Sequence, residues 1–190
     1  MPKKPDPRLE ENILNAAYKL WVEGGEPALT MRAVATLAGT TTPTLYERFR
    51  DKGDLLSGLR ARAQQKLFNA IKPSKSIREA CQIALEFTVE RGHEYELVAK
   101  DWAGRLSRNE PTPAFDLIKS RLAEQLGGRP EDHFQLGLGL VTLYHGASML
   151  LLGKGVHPKT AAAIKEAAMA AIDSLLACGR RSASGKQAVD

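Results

Sequence analysis

Cysteine is almost absent from this chain of 190 residues: there are two, Cys81 and Cys178, far apart and in no paired spacing. That excludes a disulfide framework and a thiolate zinc site, and it fits a reducing compartment. Strands of alternating polarity are missing as well, so nothing competes with a helical reading. A charge of one sign is scarcely in excess, with 27 basic against 22 acidic side chains and a net of +5. Residues 1–60 carry nine basic and eight acidic side chains, so no terminus is a basic arm. An anionic partner must therefore be met by arrangement on one face.

Catalytic signatures are missing too. His93-Glu94 begins like a zinc-protease H-E-x-x-H, but Leu97 stands where the second histidine is required. There is no G-x-S-x-G, no phosphate-cradling glycine loop and no dinucleotide fingerprint. His133 beside Asp132 reads as a helix start rather than an acid–base pair. The chain is expected to be no enzyme and to need no cofactor or metal. The opening "MPKKPDPRLEEN" has positive charge but no apolar core after it, unlike a secretory signal. The most apolar stretch, Phe134 to Leu152, is broken by Gly137, Gly139, His145 and Gly146, which favours a buried helix over a membrane span. A cytoplasmic protein with no membrane partner is expected.

What is present is helical period with capping punctuation. Asp6 before Pro7 reads as an N-cap followed by proline at the first helical position, where its missing N–H costs nothing. Ile13, Ala17, Leu20 and Trp21 then fall on one stripe, and Gly24-Gly25 stops the helix. Thr30 caps a second helix with Val34, Ala35, Leu37 and Ala38 inward, closed by Gly39. "TTTPTLYERF" follows, with Thr42 placed as N-cap and Pro43 as the first helical residue. Another helix restarts at "RDKGDLL" and runs to about Ile71. Further helices are expected at 76–91, 94–107, 113–126, 131–153 and 158–178, with a disordered tail over 179–190. The chain is all-α.

Three helices of this kind make a helix-turn-helix, whose second short helix enters the major groove and uses its N-terminal residues on the bases. Thr41, Thr42 and Thr44 can hydrogen-bond phosphates or base edges, and their methyls with the Pro43 ring can pack on thymine methyls. Leu45 and Phe49, four apart, face the core; Tyr46 faces the other way, toward a phosphate. Arg32, Arg48 and Lys52 surround the same helix, Arg32 reading sequence with the threonines while phosphate contacts fix the register. "ILNAAYKLW", "LTMRAVATLAG", "TTPTLYERF" and "DKGDLL", in that order and spacing, resemble the TetR family of bacterial transcriptional regulators. The resemblance implies that Thr30, Arg32, Thr41, Thr42, Pro43, Thr44, Tyr46, Arg48 and Lys52 match positions that touch DNA. Glu47 departs from the family's pattern, where His or Trp is commoner.

By the same reading, residues 1–55 form the DNA-binding domain and 56–178 a larger helical bundle for ligand sensing and dimerisation. The segment 131–153 is apolar around nearly its whole circumference and needs burial on two sides, one of them supplied by a second subunit. With the closing helix (Ile164, Ala168, Ala171, Ile172 and Leu175) it would form a four-helix interface between two chains. "LVTLYHGASMLLL" resembles the sensor domain of some family members, although Val141 stands where tryptophan is frequent. Phe87, Trp102, Phe115, Tyr144, His145 and Met149 are the candidate lining of a small-molecule pocket. The expected function is a ligand-released repressor binding a palindromic double-stranded DNA operator as a homodimer. Two alternatives stay open: a constitutive DNA-binding regulator, and a helical ligand- or partner-binding protein that no longer reads DNA.

Overall fold

The structure is a computed structural model that describes residues 7–187, with side chains described for 8–180. Asp6, expected as a cap, lies outside the described residues. The chain divides into two compact units, ending and beginning at Ala63 and Gln64.

The first unit opens with α1, Pro7–Ala28, whose helical path is interrupted at Gly25 (φ 64°, ψ −157°). A positive φ is where glycine costs least, so the Gly-Gly stop signal acts as expected. Ile13, Ala17 and Trp21 are buried. Thr30 caps α2, Met31–Leu37, by accepting the Ala33 N–H at 3.1 Å. Gly39 turns the chain at φ 68°, and α3 follows at Thr42–Tyr46. Leu45 and Phe49 join Val34 and Ala35 in the core; Leu37, expected inward, is exposed. A seven-residue helix has too few turns to bury both edges of its apolar stripe.

The next helix, α4 (Lys52–Ile71), is continuous through the boundary. Leu55, Leu56 and Leu59 are buried in its first turns, and a Cβ on Gly58 would meet the Phe49 ring at 3.0 Å. The first unit therefore takes these turns as well, which moves its boundary from the expected residue 55 to Ala63.

The second unit is built from α5 (Ile77–Glu90), α6 (Gly92–Ala99), α7 (Trp102–Ser107), α8 (Pro113–Leu126), a 3-10 turn at Pro130–His133, α9 (Phe134–Leu151) and α10 (Pro158–Gln187). Ser76 caps α5 by accepting the Glu79 N–H at 3.1 Å. The core draws Ile77 and Cys81 from α5, Leu122 from α8, Leu140 from α9, and Ile172 and Leu176 from α10. The expected helix 94–107 is two helices, because Asp101 adopts a left-handed conformation at φ 88°. Aspartate tolerates that region better than most residues, and the Arg108 guanidinium holds its carboxylate at 2.8 Å. The helix α10 continues to Gln187, where an irregular tail was expected from 179. Extending an existing helix adds one hydrogen bond per residue without a new nucleus, so polar residues can prolong it.

The stretch Pro130–Leu151 is long and apolar enough to cross a membrane by length and composition. Here one side of α9 packs in the core of its own unit through Leu140, Val141, Tyr144 and Ala147. Leu122 is fully buried, and Leu122→Ala is expected to cost about 2–5 kcal/mol in urea unfolding. A loss below ~1 kcal/mol would mean that α8 is not part of the core.

Candidate nucleic-acid interface and buried cavity

The cap of α3 is Thr41, one residue before the expected Thr42. Thr41 is extended (φ −95°, ψ 153°), and its Oγ1 accepts the Thr44 N–H at 3.3 Å. The Thr41 and Thr44 hydroxyls also lie 2.9 Å apart. Three consecutive threonines offer capping oxygens in more than one register. The register found gives Thr41 a partner on both the backbone and the side chain of Thr44, with Pro43 at the second helical position.

Of the residues expected to meet DNA, Thr30, Arg32, Thr41, Pro43 and Tyr46 are exposed, while Thr42, Thr44, Arg48 and Lys52 are partly buried. Tyr46 is 50% exposed while its neighbour Leu45 is fully buried. Its ring is therefore no part of the core. Thr30 and Arg32 line a shallow surface groove with Lys19, Glu23 and Thr36. Lys52 has a structural bond: its Nζ donates to the Glu26 carbonyl at 2.6 Å, tying the start of α4 to the end of α1. Arg50 pairs with Asp54 at 3.5 Å.

In the second unit, α4, α5, α6, α7, α8 and α9 line a cavity of about 60 Å³. Of the candidate lining residues, Trp102, Phe115, Tyr144 and His145 border it. Phe87 is buried but does not line it, sitting instead under the Arg91 guanidinium at 5.9 Å. Met149 is 64% exposed and points outward. Both belong to helices whose period was readable but whose phase was not. Trp102 stands edge-on to Phe115 at 5.7 Å and tilts against His145 at 5.6 Å.

Sequence reasoning missed the polar groups behind this wall. Thr88 Oγ1 donates to the Ala84 carbonyl at 3.1 Å and lies 3.0 Å from Ser148 Oγ and 3.3 Å from Tyr144 Oη. Tyr95, fully buried, pairs its hydroxyl with His145 Nδ1. The available signal was a threonine and a serine inside otherwise apolar helices. Burial pushes the Tyr95 phenol up to about 12, raises the Tyr144 phenol further, and pushes the Cys81 thiol up to about 12. Burial also lowers the His145 pKa below its usual 6.5, so at neutral pH these groups are uncharged. Beside the cavity, Arg105 donates to the Gln64 side-chain oxygen, and to the Pro111 carbonyl at 2.6 Å. Among the described residues no group of three or more His, Cys, Asp or Glu is placed to hold a metal ion.

A long helix and two short ones, with an exposed face on the last, followed by a helical unit with a small apolar cavity, define a helix-turn-helix fold with a separate helical domain. Residues 13–59 match the family model described as bacterial regulatory proteins, tetR family. It is 30% identical over 132 residues to the HTH-type transcriptional repressor KstR2 of Mycolicibacterium smegmatis, a match covering 65% of this chain and 62% of that protein. It resembles a solved TetR-like transcriptional regulator from Rhodococcus sp. RHA1 with a TM-score of 0.61 at 18% identity, over 93% of this chain and 98% of that one. A structure of the multidrug binding protein EbrR complexed with proflavin matches with a TM-score of 0.55 at 18% identity, over 88% of this chain and 99% of that one.

The lowered His145 pKa fixes a sign. Between its folded value and 6.5 the unfolded chain binds a proton that the folded chain does not, so stability falls as pH drops through that window. The melting temperature is expected to fall between pH 7 and about pH 5.5, and to fall less in His145→Gln. Identical pH dependence in both proteins would remove His145 as the cause.

Proposed function

We propose that this chain is a sequence-specific DNA-binding transcriptional regulator: a repressor that leaves a palindromic operator when a small molecule occupies the cavity. The observation that carries the DNA reading is the sidedness of α3. Leu45 and Phe49 are buried while Pro43 and Tyr46 stand exposed beside the threonines, so the face left open carries hydroxyls and a ring rather than bulky apolar groups. That face suits groove entry, with Tyr46 toward a phosphate and the threonine hydroxyls and methyls toward bases. KstR2 is named a transcriptional repressor, which favours repression over activation here. EbrR was solved in complex with proflavin, which favours an effector for this chain as well. No catalytic role is proposed, and the protein is assigned to the cytoplasm, where its DNA is.

A homodimer completes the reading, because paired heads on a twofold axis match a palindrome. Its support is the outer face of the last two helices. Met149 and Leu150 of α9 are 64% and 61% exposed, and α10 exposes Ala163, Ala167, Ala170 and Ser174 at helical spacing. A second copy would cover these apolar and small residues. A twentyfold preference of the effector for the DNA-free form would correspond to roughly 2 kcal/mol of coupling.

The test is fluorescence anisotropy with DNA from upstream of the protein's own coding region, at several salt concentrations. Binding is expected to resist competitor DNA and to weaken steeply with salt. Tyr46→Phe is expected to weaken it while leaving the fold unchanged. Lys52→Ala is less clean, because it also removes the bond to the Glu26 carbonyl. Unchanged affinity in Tyr46→Phe would overturn the assignment of the phosphate-facing side. For the dimer, Leu150→Glu is expected to shift the sedimenting species from dimer to monomer; an unchanged dimer would move the interface elsewhere. A constitutive regulator is the second reading, favoured by the small cavity volume. DNA binding that no cavity ligand relieves would establish it.

A further inference from the structure

What can fill the cavity is decided by its wall, and the answer rests on the effector reading proposed above. Among the described residues the lining contains no Lys, Arg, Asp or Glu; its polar side chains are Gln64, Cys81, Thr112, Tyr144 and His145. Burial holds the Cys81 thiol and the Tyr144 phenol protonated and the His145 imidazole uncharged at neutral pH, so the whole wall is neutral. A charged ligand would lose its hydration there with no counter-charge in contact. Arg105 stands beside the cavity, but its guanidinium is already engaged. It donates to the Gln64 oxygen and to the Pro111 carbonyl at 2.6 Å, and it pairs with Glu110 at 3.4 Å. A carboxylate ligand would have to compete with all three.

The space exists where α5 turns small residues inward. Ala80, Cys81 and Ala84 lie on one face of that helix, one and four positions apart. All three are buried and line the cavity. Larger side chains fill the wall elsewhere, among them Leu67, Ile71, Leu140, Trp102 and Phe115. A longer side chain at either alanine has the cavity to grow into. The volume left is about 60 Å³, whereas an engineered apolar cavity that binds benzene measures about 150 Å³. A single ring already requires the wall to give, and a second fused ring has no room.

We infer that the cavity takes an uncharged, hydrocarbon-like ligand of a single ring, with Ala80 and Ala84 of α5 setting the size limit. Both alanines are specificity-determining residues that contribute space rather than a bond. Such a ligand needs no hydrogen bond from the wall, and its affinity comes from removing apolar surface from water.

Four probes test this on the full chain by fluorine NMR: fluorobenzene, 1-fluoronaphthalene, 4-fluorobenzoate and 4-fluorobenzylamine, the last protonated at neutral pH. Fluorobenzene is expected to bind at least about tenfold more tightly than each of the other three. Ala84→Leu is expected to abolish fluorobenzene binding. Ala84→Val, a smaller step in the same direction, is expected to weaken it about tenfold and replaces the leucine variant if that one lacks a cooperative melting transition. A charged probe or the naphthalene binding most tightly would overturn the inference and leave the effector cavity standing. Unchanged fluorobenzene affinity in a folded Ala84 variant would do the same. Operator anisotropy with fluorobenzene bound tests the other reading: occupancy without release of DNA would overturn the effector role and leave the selectivity of the wall intact. Binding of none of the four would overturn both.

Discussion

A helix of five residues cannot hold itself together. Nucleation fixes several residues for each early hydrogen bond, so isolated helices of this length do not persist in water. The short α3 exists because Leu45 is fully buried and Phe49 follows it into the same core. Thr41 closes its first turn by accepting from Thr44. This constraint explains the composition of the whole segment. One anchoring face is all that five residues can provide, so everything else on the helix faces outward. Pro43 and Tyr46 are exposed for that reason, and the surface open to a nucleic acid is what the anchor leaves over. The supporting residues serve the same end: Gly39 turns at φ 68° to bring α3 back onto α2, and Lys52 ties α4 to the end of α1 through the Glu26 carbonyl.

The second unit solves a different problem, placing polar groups inside an apolar bundle. Thr88, Ser148, Tyr95, Tyr144 and His145 would each cost stability if buried alone. Linked, they satisfy one another, and burial keeps them neutral rather than ionised. A satisfied buried network is also stiff, since moving one member strands its neighbour. The opposite wall has fewer constraints. Trp102 sits on the short α7, none of whose residues is buried, and the left-handed Asp101 separates that helix from α6. The cavity thus has one wall fixed by hydrogen bonds and another held by an aromatic contact to Phe115 and by the bonds of Arg105 to Gln64 and Pro111.

Most of the first unit was legible because its punctuation is local. Thr30 caps, Gly25 and Gly39 take positive φ, and Leu45 and Phe49 are four apart; each follows from the residue and its near neighbours. The cap of α3 was misplaced by one residue because three threonines in a row carry the same signal. The second unit was legible as helices and less so as a site. Nothing in "LVAKDWAG" announces a break, since no glycine or proline stands at the junction; Asp101 is held there by Arg108, seven residues on. Met149 was expected in the pocket and lies outside it because a helix apolar on all sides shows its period and conceals its phase. Tyr95 and His145 are far apart in sequence, and a pairing of that kind has no local mark at all.

The phase of α9 ties the two proposed surfaces together. Val141, Tyr144 and His145 face the cavity, while Thr142, Gly146, Met149 and Leu150 are exposed on the same helix. A close-packed interior transmits displacement rather than absorbing it, so a ring that enlarges a cavity of about 60 Å³ must move part of its wall. If α9 is the part that moves, its outer face moves with it, and on the proposed reading that face is covered by the second subunit. The cost of the displacement then falls on the subunit interface, where a change of small size is repeated by symmetry. Effector and operator would be coupled because the cavity is too small to be filled without disturbing the helix that the proposed dimer would use. A roomier cavity would bind the same molecule more easily and transmit less.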